Sequence, residues 1–167
     1  MSNWFIDKRQ EDPNDERITT FLVHKKRGDI MSDCDLEMDD MLPFLNINPY
    51  GNIVVGGLGL GLIIDELLKL EKVDNIYVVE IDDEVIGLTS HKYDDNEKVT
   101  IAKGDARDFD LSQVPFDIDF VYMDIWDNDL GDTYEDRLEV CQHWGGICKE
   151  CFSWAKDRSK INFEAKK

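Results

Sequence analysis

Two parts of the sequence have residue types and a spacing that suit ligand binding: a glycine cluster and the acid that follows it. Residues 54–61 read VVGGLGLG, in which a β-branched run leads into four glycines: Gly56, Gly57, Gly59 and Gly61. Glycine allows positive φ and a close approach of the backbone to a ligand where a strand turns into a helix. Glu80 lies 23 residues beyond Gly57 and ends the next apolar run, where a carboxylate can accept both hydroxyls of a ribose. Together these features predict a cradle for a ribose-bearing ligand.

Acidic residues also follow two later apolar runs. In Gly104-Asp105-Ala106, the Asp105 carboxylate could accept an adenine amino group while the N–H of Ala106 meets a ring nitrogen. The second segment is Asp124-Ile125-Trp126-Asp127. Asp124 or Asp127 could accept a proton from an amine or hydroxyl, or hold a cationic amine. Trp126 could stack on a flat substrate or a cation, although buried packing of Trp126 and capping by Asp124 stay open.

The segments around these residues alternate between strand and helix patterns. Strands are predicted at 52–55, 75–81, 99–102 and 118–123, and helices from 58 or 59 to 70 and over 83–90. Short runs that are apolar on both faces are typical of parallel strands covered by helices. The pattern therefore predicts an open, doubly wound, mostly parallel α/β sheet. Because the carboxyl ends of such strands share one edge, we expect the glycine cluster and the acids to converge there.

The flanking segments extend this unit. Residues 1–17 are charged and contain Pro13, which predicts a loose N-terminal arm, and residues 18–167 are predicted to form a single domain. Residues 18–25 and 30–32 predict an N-terminal β-hairpin extension, followed by a helix over 36–45. Residues 133–157 are predicted to be mostly helical, with an interruption at Gly145-Gly146.

Residues 54–127 resemble the class I S-adenosylmethionine-dependent methyltransferase-like superfamily, which has a Rossmann-like fold, and within it the spermidine-synthase-like branch. The motifs that carry the resemblance are VVGGLGLG, VVEID, GDA and MDIWD. The resemblance implies that S-adenosylmethionine, or its decarboxylated form, binds in the cradle. It also implies roles for single residues: ribose binding by Glu80, packing against adenine by Ile81, binding of the adenine amino group by Asp105, and contact with an amine substrate by Asp124 and Asp127.

The chain departs from that branch at three places. Gly59 stands where the family usually carries an aspartate, and Met38-Asp39-Asp40 replaces a tyrosine–histidine–glutamate cluster. Only 40 residues follow Asp127, which predicts a sheet truncated on the C-terminal side, with few strands after the fourth. We therefore interpret the protein first as a transferase that methylates a small-molecule acceptor. Aminopropyl transfer and non-catalytic binding of the nucleoside are the alternatives.

The overall charge narrows the range of partners. With 37 acidic and 19 basic residues the net charge is −18, which opposes nucleic-acid binding and agrees with a cationic amine as acceptor. No apolar run is long enough to cross a membrane and the N-terminus lacks a secretion signal, so we expect a soluble cytoplasmic protein. A sheet that lacks strands exposes an edge, which predicts a homo-oligomer.

The cysteines near the C-terminus form one further pattern. Cys141, His143, Cys148 and Cys151 have a spacing that could bind zinc. Cys148 and Cys151 also share helical spacing with Trp144, which is typical of a buried helix. Because thiols stay reduced in the cytoplasm, we expect no disulfide framework among these cysteines. Because the helical pattern explains their positions, we predict no metal site.

Overall fold

The chain forms two β-sheets, one antiparallel and one parallel. The computed structural model describes residues 2–127 and 133–165. In the antiparallel sheet, β1 (Trp4–Gln10), β2 (Ile18–His24) and β3 (Gly28–Ser32) lie in chain order. The strands of the parallel sheet are β4 (Gly51–Gly56), β5 (Val73–Glu80), β6 (Val99–Lys103), β7 (Phe120–Met123) and β8 (Glu150–Ser153). Their order in space is β6-β5-β4-β7-β8, with every neighbouring pair parallel.

Helices cover both faces of the parallel sheet. Their bounds are α1 Asp35–Leu45, α2 Leu62–Leu67, α3 Asp83–Thr89, α4 Tyr134–Gly145 and α5 Lys156–Glu164. Phe44 of α1 and Ile64 of α2 belong to the core on one face, whereas Val140 and Trp144 of α4 belong to the core on the other. This arrangement confirms the doubly wound α/β sheet with an N-terminal antiparallel extension. In the part of the chain that the structure describes, no helix has the length and apolarity needed to span a membrane.

The prediction of a loose arm over residues 1–17 is wrong for its first half. Trp4–Gln10 form β1, which pairs along its whole length with β2. The Trp4 side chain is 7% exposed, so its burial offsets the entropy lost when this charged segment becomes ordered. The Glu84 carboxylate, at the start of α3, accepts the N–H groups of Asn3 at 2.6 Å and Trp4 at 3.2 Å.

The prediction of a mostly helical segment over 133–157 is wrong at its end. Helix α4 ends at Gly145, and Glu150–Ser153 then form β8, which pairs in parallel with β7. Four residues are too few for a recognisable strand pattern, and pairing with the exposed edge of β7 decides their conformation. One parallel strand therefore follows the fourth predicted strand. Helix α2 is also shorter than predicted, since Gly61 precedes it in the left-handed conformation, with φ 80°.

The attachment of β1 to α3 through Glu84 can be tested by hydrogen exchange. In Glu84→Ala, the amides of β1 are expected to exchange faster than in the wild type, because the carboxylate that accepts two N–H groups and the Ser2 hydroxyl is lost. Amides of β4 and β5 should keep their protection. Glu71→Ala, at another exposed glutamate, serves as the control. Unchanged exchange in β1 would show that Glu84 does not hold the strand.

Candidate functional site

A cleft with a volume of about 490 Å³ lies at the carboxyl ends of the parallel strands. Its floor comes from the ends of β4, β5, β6 and β7, where the sequence analysis predicts convergence of the glycine loop and the acids. One wall comes from the antiparallel sheet. The lining includes these predicted residues: Gly57, Gly59, Glu80, Ile81, Asp105, Ala106, Asp124, Trp126 and Asp127. Gly56 and Gly61 do not line it.

The four glycines of the loop lack a side chain for different structural reasons. Gly57 has φ 89°, and a Cβ there would overlap the backbone carbonyl of Asp124. Gly56 has no room for a side chain against Met123, so it serves packing. Gly61 has none against Tyr93 and also has a left-handed backbone, with φ 80°. Gly59 has φ 50°, and a Cβ would lie 2.6 Å from the flexible Met31 thioether. Met31, from β3, therefore occupies the space beside the position where the resembling family usually carries an aspartate.

Most N–H groups of the glycine loop donate within the protein. The bonds run from Gly57 to Val79 O at 2.8 Å, from Leu58 to Glu80 Oε2 at 2.7 Å, from Leu60 to Met31 Sδ at 3.3 Å and from Gly61 to Leu58 O at 2.8 Å. A loop that cradles phosphate needs these donors free to point at the anion. The loop is thus suited to approach a ligand closely rather than to bind a phosphate group.

The Glu80 carboxylate, at the end of β5, binds the glycine loop. It is only 7% exposed, yet it lines the cleft. Its Oε2 accepts the N–H of Leu58 at 2.7 Å and its Oε1 accepts that of Asp82 at 2.9 Å. Burial raises the pKa of Glu80 above its ordinary value, while these N–H bonds act in the opposite direction. Two oxygens offer about four acceptor positions, so the carboxylate can accept further hydroxyl groups from the cleft.

The residues around Glu80 supply an apolar face and a second acid. Ile81 is 60% exposed although it follows a buried strand, and its side chain lines the cleft. Asp105 lies across the cleft at the end of β6, where it accepts the N–H of Arg107 at 3.0 Å. Ala106 beside it is buried. An apolar surface and a carboxylate at the two sides of one space suit a flat, amine-bearing ring.

Asp124 is the acid with the most perturbed ionisation in the cleft. Its pKa is raised to about 8, chiefly by burial and also by the charge of Glu37, whereas Arg137 acts in the opposite direction. Its backbone N–H donates to Gly56 O at 2.7 Å, which fixes the segment after β7 against the end of β4. A carboxyl with a pKa near neutrality can take up a proton and release it again under ordinary conditions.

Trp126 is held by protein partners that the sequence analysis missed. The ring is 7% exposed, and its Nε1 donates to Asp136 Oδ2 at 2.6 Å. The guanidinium of Arg137, which is fully buried, lies 4.3 Å from the ring centre. Arg137 also donates to the carbonyl of Trp154. A charged residue on an amphipathic helix gives no signal in the sequence that it will point inward, so Arg137 could not be singled out.

Asp127 forms an ion pair that links it to the antiparallel sheet. Its Oδ2 lies 3.1 Å from Nη1 of Arg27, which belongs to the turn between β2 and β3. The Arg27 guanidinium lies 4.9 Å from the ring centre of Trp4, and Trp4 Nε1 donates to Asp82 at 2.7 Å. These contacts run across the mouth of the cleft. Trp4 and Arg27 were missed because only the tertiary fold brings the N-terminal sheet to this edge.

The cysteine pattern does not form a metal cluster within the described residues. His143 lies at the end of α4, where Nε2 is 3.4 Å from the carbonyl of Phe109. Cys148 donates to the carbonyl of Trp144, and Cys151 lies on β8 rather than on the predicted helix. The shared helical spacing of Cys148 and Cys151 with Trp144 is therefore broken by the strand.

Comparison with known proteins identifies the fold. No protein-family model and no curated protein sequence matches the chain. Among solved structures, it is similar to a protein from Staphylococcus aureus assigned as a caffeoyl-CoA O-methyltransferase, with 14% identity, a TM-score of 0.51 and coverage of 70% of this chain and 54% of that one. It is also similar to the N-terminal domain of EvdMO1, solved in the presence of SAH and D-fucose, with 15% identity, a TM-score of 0.54 and coverage of 72% and 51%. The chain thus spans about half the length of these structures and shares their Rossmann-like fold.

The raised pKa of Asp124 makes a prediction about stability. Below the ordinary pKa of an aspartate the carboxyl is protonated in both states, and as the pH rises the unfolded state ionises first. The contribution of the Asp124 carboxyl to the stability of the folded state is therefore lost as the pH rises to about 8. Asp124→Asn is expected to raise the midpoint of thermal unfolding relative to the wild type at about pH 9, and to change it much less at about pH 4. Asp74→Asn, at an exposed aspartate, is the control. An equal effect of Asp124→Asn at both pH values would contradict the raised pKa of Asp124.

Proposed function

We propose that the cleft binds S-adenosylmethionine and that the protein transfers its methyl group to a small-molecule acceptor. The observation that carries this proposal is the buried Glu80 carboxylate, which faces the cleft beside a glycine loop at the carboxyl end of β5. The proposal is supported by the names of the similar structures, one assigned as a methyltransferase and one solved with SAH. SAH, S-adenosylhomocysteine, is the product that S-adenosylmethionine leaves after methyl transfer.

The residues of the cleft fit an adenosyl group. Glu80 has acceptor positions left for the two ribose hydroxyls, and Gly57 and Gly59 allow the ligand to approach the backbone. The exposed Ile81 would pack against one face of the adenine. The Asp105 carboxylate would accept the adenine amino group, with the N–H of Ala106 directed at a ring nitrogen. The cleft volume of about 490 Å³ lies within the range of small-molecule sites.

The charges of the cleft favour a sulfonium ligand over a dinucleotide. The lining contains many carboxylates: Glu37, Glu80, Asp82, Asp105, Asp124, Asp127 and Asp136. Its described cations, Arg27 and Arg107, form ion pairs with Asp127 and Asp136. A pyrophosphate would meet this acidic surface and a loop whose N–H groups are already used. A positively charged sulfonium would instead be attracted to it.

The chain's own residues would bring the acceptor to reaction. S-adenosylmethionine supplies an activated methyl group: as the acceptor nitrogen forms its bond to the methyl carbon, the sulfur–carbon bond breaks and its electron pair stays on sulfur. Asp124, whose pKa lies at about 8, would accept the proton that the nitrogen must lose. Asp127, with Arg27, would border the entrance. Trp126, held by Asp136 and Arg137, would form a rigid wall beside the acceptor.

A second candidate activity uses the same cleft. Because Arg27 and Arg107 are both paired with carboxylates, the amino-acid end of S-adenosylmethionine would find no separate cation among the described lining residues. That observation favours a cofactor without a carboxylate, namely the decarboxylated form, and with it aminopropyl transfer to a cationic amine. Formation of a homo-oligomer through an exposed sheet edge stays a prediction, as do the cytoplasmic location and the absence of nucleic-acid binding.

Calorimetry can test cofactor binding. We expect S-adenosylmethionine and S-adenosylhomocysteine to bind and NAD⁺ not to bind. Glu80→Gln is expected to weaken binding about 10- to 100-fold, because the hydrogen bonds from the ribose hydroxyls lose a charged acceptor. Glu71→Gln, at an exposed glutamate that does not line the cleft, should leave affinity unchanged.

Failure of both sulfur nucleosides to bind would contradict the proposal. If they bind, mass spectrometry of a metabolite extract incubated with the protein and S-adenosylmethionine identifies the reaction. A mass gain of one methyl group supports methyl transfer, and the absence of a product supports a non-catalytic binding protein. A mass gain of one aminopropyl group with the decarboxylated cofactor supports the second candidate.

A further inference from the structure

A second cavity, with a volume of about 380 Å³, lies beside the cleft between α1, β7 and the edge strand β8. Its walls come from α1 through Asp39, Asp40, Pro43 and Phe44, from β7 through Tyr122, and from the β8 segment through Glu150, Cys151, Phe152, Ser153, Ala155 and Lys156. None of these residues is assigned a role in the binding of the cofactor.

The two cavities are lined by residues that are close in the chain, both on α1 and around β8. Glu37 lines the cleft, and Asp40, about one turn later on α1, lines the second cavity. Trp154 lines the cleft, whereas Ser153 and Ala155 line the second cavity. The two spaces are therefore separated by little more than one helix turn and one strand end.

Tyr122 and Asp124 connect the two cavities along the chain. Tyr122 belongs to β7, and Asp124 follows directly after the last residue of that strand. Burial and the charge of Asp124 raise the pKa of Tyr122, which agrees with a short distance between the two side chains. Tyr122 lines the second cavity and Asp124 lines the cleft. Asp40 raises the pKa of Asp124 through its charge, which agrees with a short path between the spaces. A group bound at Tyr122 is thus on the side from which it could reach Asp124.

The hydroxyl of Tyr122 points to a ligand. The residue is 1% exposed, and among the described residues its oxygen has no hydrogen-bond partner. A buried hydroxyl without a partner destabilises a protein, because the group has lost its hydrogen bonds to water. The cost is removed when a polar group enters the cavity and bonds to this oxygen.

The remaining walls define the chemistry of that ligand. The rings of Phe44 and Tyr122 are stacked with centres 5.1 Å apart, and those of Phe44 and Phe152 lie 5.0 Å apart, which makes one wall aromatic. Among the residues that the structure describes, the titratable lining consists of the carboxylates Asp39, Asp40 and Glu150, the thiol of Cys151, the phenol of Tyr122 and one cation, Lys156. This surface suits a molecule with an apolar body and a positively charged amine.

We propose that this second cavity is the acceptor pocket, and that it binds a small primary amine with an aromatic or compact apolar body whose ammonium group donates to Tyr122 Oη. The inference rests on the proposed transferase function, since it names the acceptor of that reaction. The apolar body packs on Phe44 and Phe152, and the amine points toward Asp124 and the cleft. The acidic lining excludes carboxylate-bearing acceptors.

Binding of three matched probes to the full chain tests the chemistry. The probes are 2-phenylethylamine, its neutral analogue 2-phenylethanol and the anion 3-phenylpropanoate, each titrated while amide and methyl NMR signals are recorded. We expect saturable shifts for the amine around Phe44, Tyr122 and Phe152, with a Kd on the order of 1 mM or tighter. The alcohol should bind more weakly and the anion not at all. Absence of shifts with the amine, or equal binding of amine and anion, would overturn the proposal.

Tyr122→Phe separates a binding role from a structural one. Because the hydroxyl has no partner among the described residues, its removal should leave the thermal unfolding midpoint unchanged or raised, yet weaken 2-phenylethylamine about 10-fold. Tyr50→Phe makes the same chemical change at an exposed tyrosine outside both cavities and should not alter amine affinity. Unchanged amine affinity in Tyr122→Phe would overturn the assignment of the pocket.

A parallel titration with S-adenosylhomocysteine distinguishes this inference from the proposed function. If the sulfur nucleoside binds and the amine does not, the acceptor pocket is wrong and the cofactor cleft stands. If the amine binds and the nucleoside does not, the transferase function is wrong and the acceptor assignment falls with it. If the nucleoside and the amine both bind, and Tyr122→Phe loses product formation at low amine concentration but recovers it at high concentration, the proposed function and the acceptor pocket are both supported.

Discussion

The site depends on the hydrogen bond between the Leu58 N–H and the buried Glu80 carboxylate. It joins the glycine loop after β4 to the end of β5, while the Asp124 N–H bond to Gly56 O joins the same loop to the segment after β7. Gly57 is required at the meeting point because a Cβ would overlap the Asp124 carbonyl. Three strand ends are thereby held together, and the acidic side chains they carry have fixed positions around one cleft.

The acidity of this cleft is balanced by only a few internal cations. Arg137 is fully buried, stacks on Trp126 and opposes the rise in the pKa of Asp124. One side chain therefore holds the Trp126 wall of the cleft and limits the pKa of the proposed base, Asp124. Arg27 and Arg107 pair with carboxylates at the rim. The remaining negative charge suits a sulfonium cofactor and a cationic acceptor, and it opposes phosphate-bearing ligands.

Local sequence patterns were sufficient for the parallel strands β4, β5, β6 and β7, the helix α1 and the glycine loop, because each depends on residues that are close in the chain. The strands β1 and β8 were missed because their partners are distant: β1 is charged and depends on β2, and β8 is four residues long and depends on the edge of β7. For the site, acids at strand ends could be predicted from topology. Arg137, Trp4 and Met31 could not be predicted. Only packing of α4 brings Arg137 to Trp126, and only packing of the antiparallel sheet brings Trp4 and Met31 to the cleft.

A crystal structure of the protein with S-adenosylhomocysteine would show whether the cleft binds an adenosyl group. We expect adenosine in the cleft, with the ribose hydroxyls within about 3.2 Å of the Glu80 carboxylate oxygens. The adenine would lie between Ile81 and the Asp105-Ala106 segment. Density for the ligand at another surface, or an adenosyl group in the cleft whose ribose does not contact Glu80, would contradict the account.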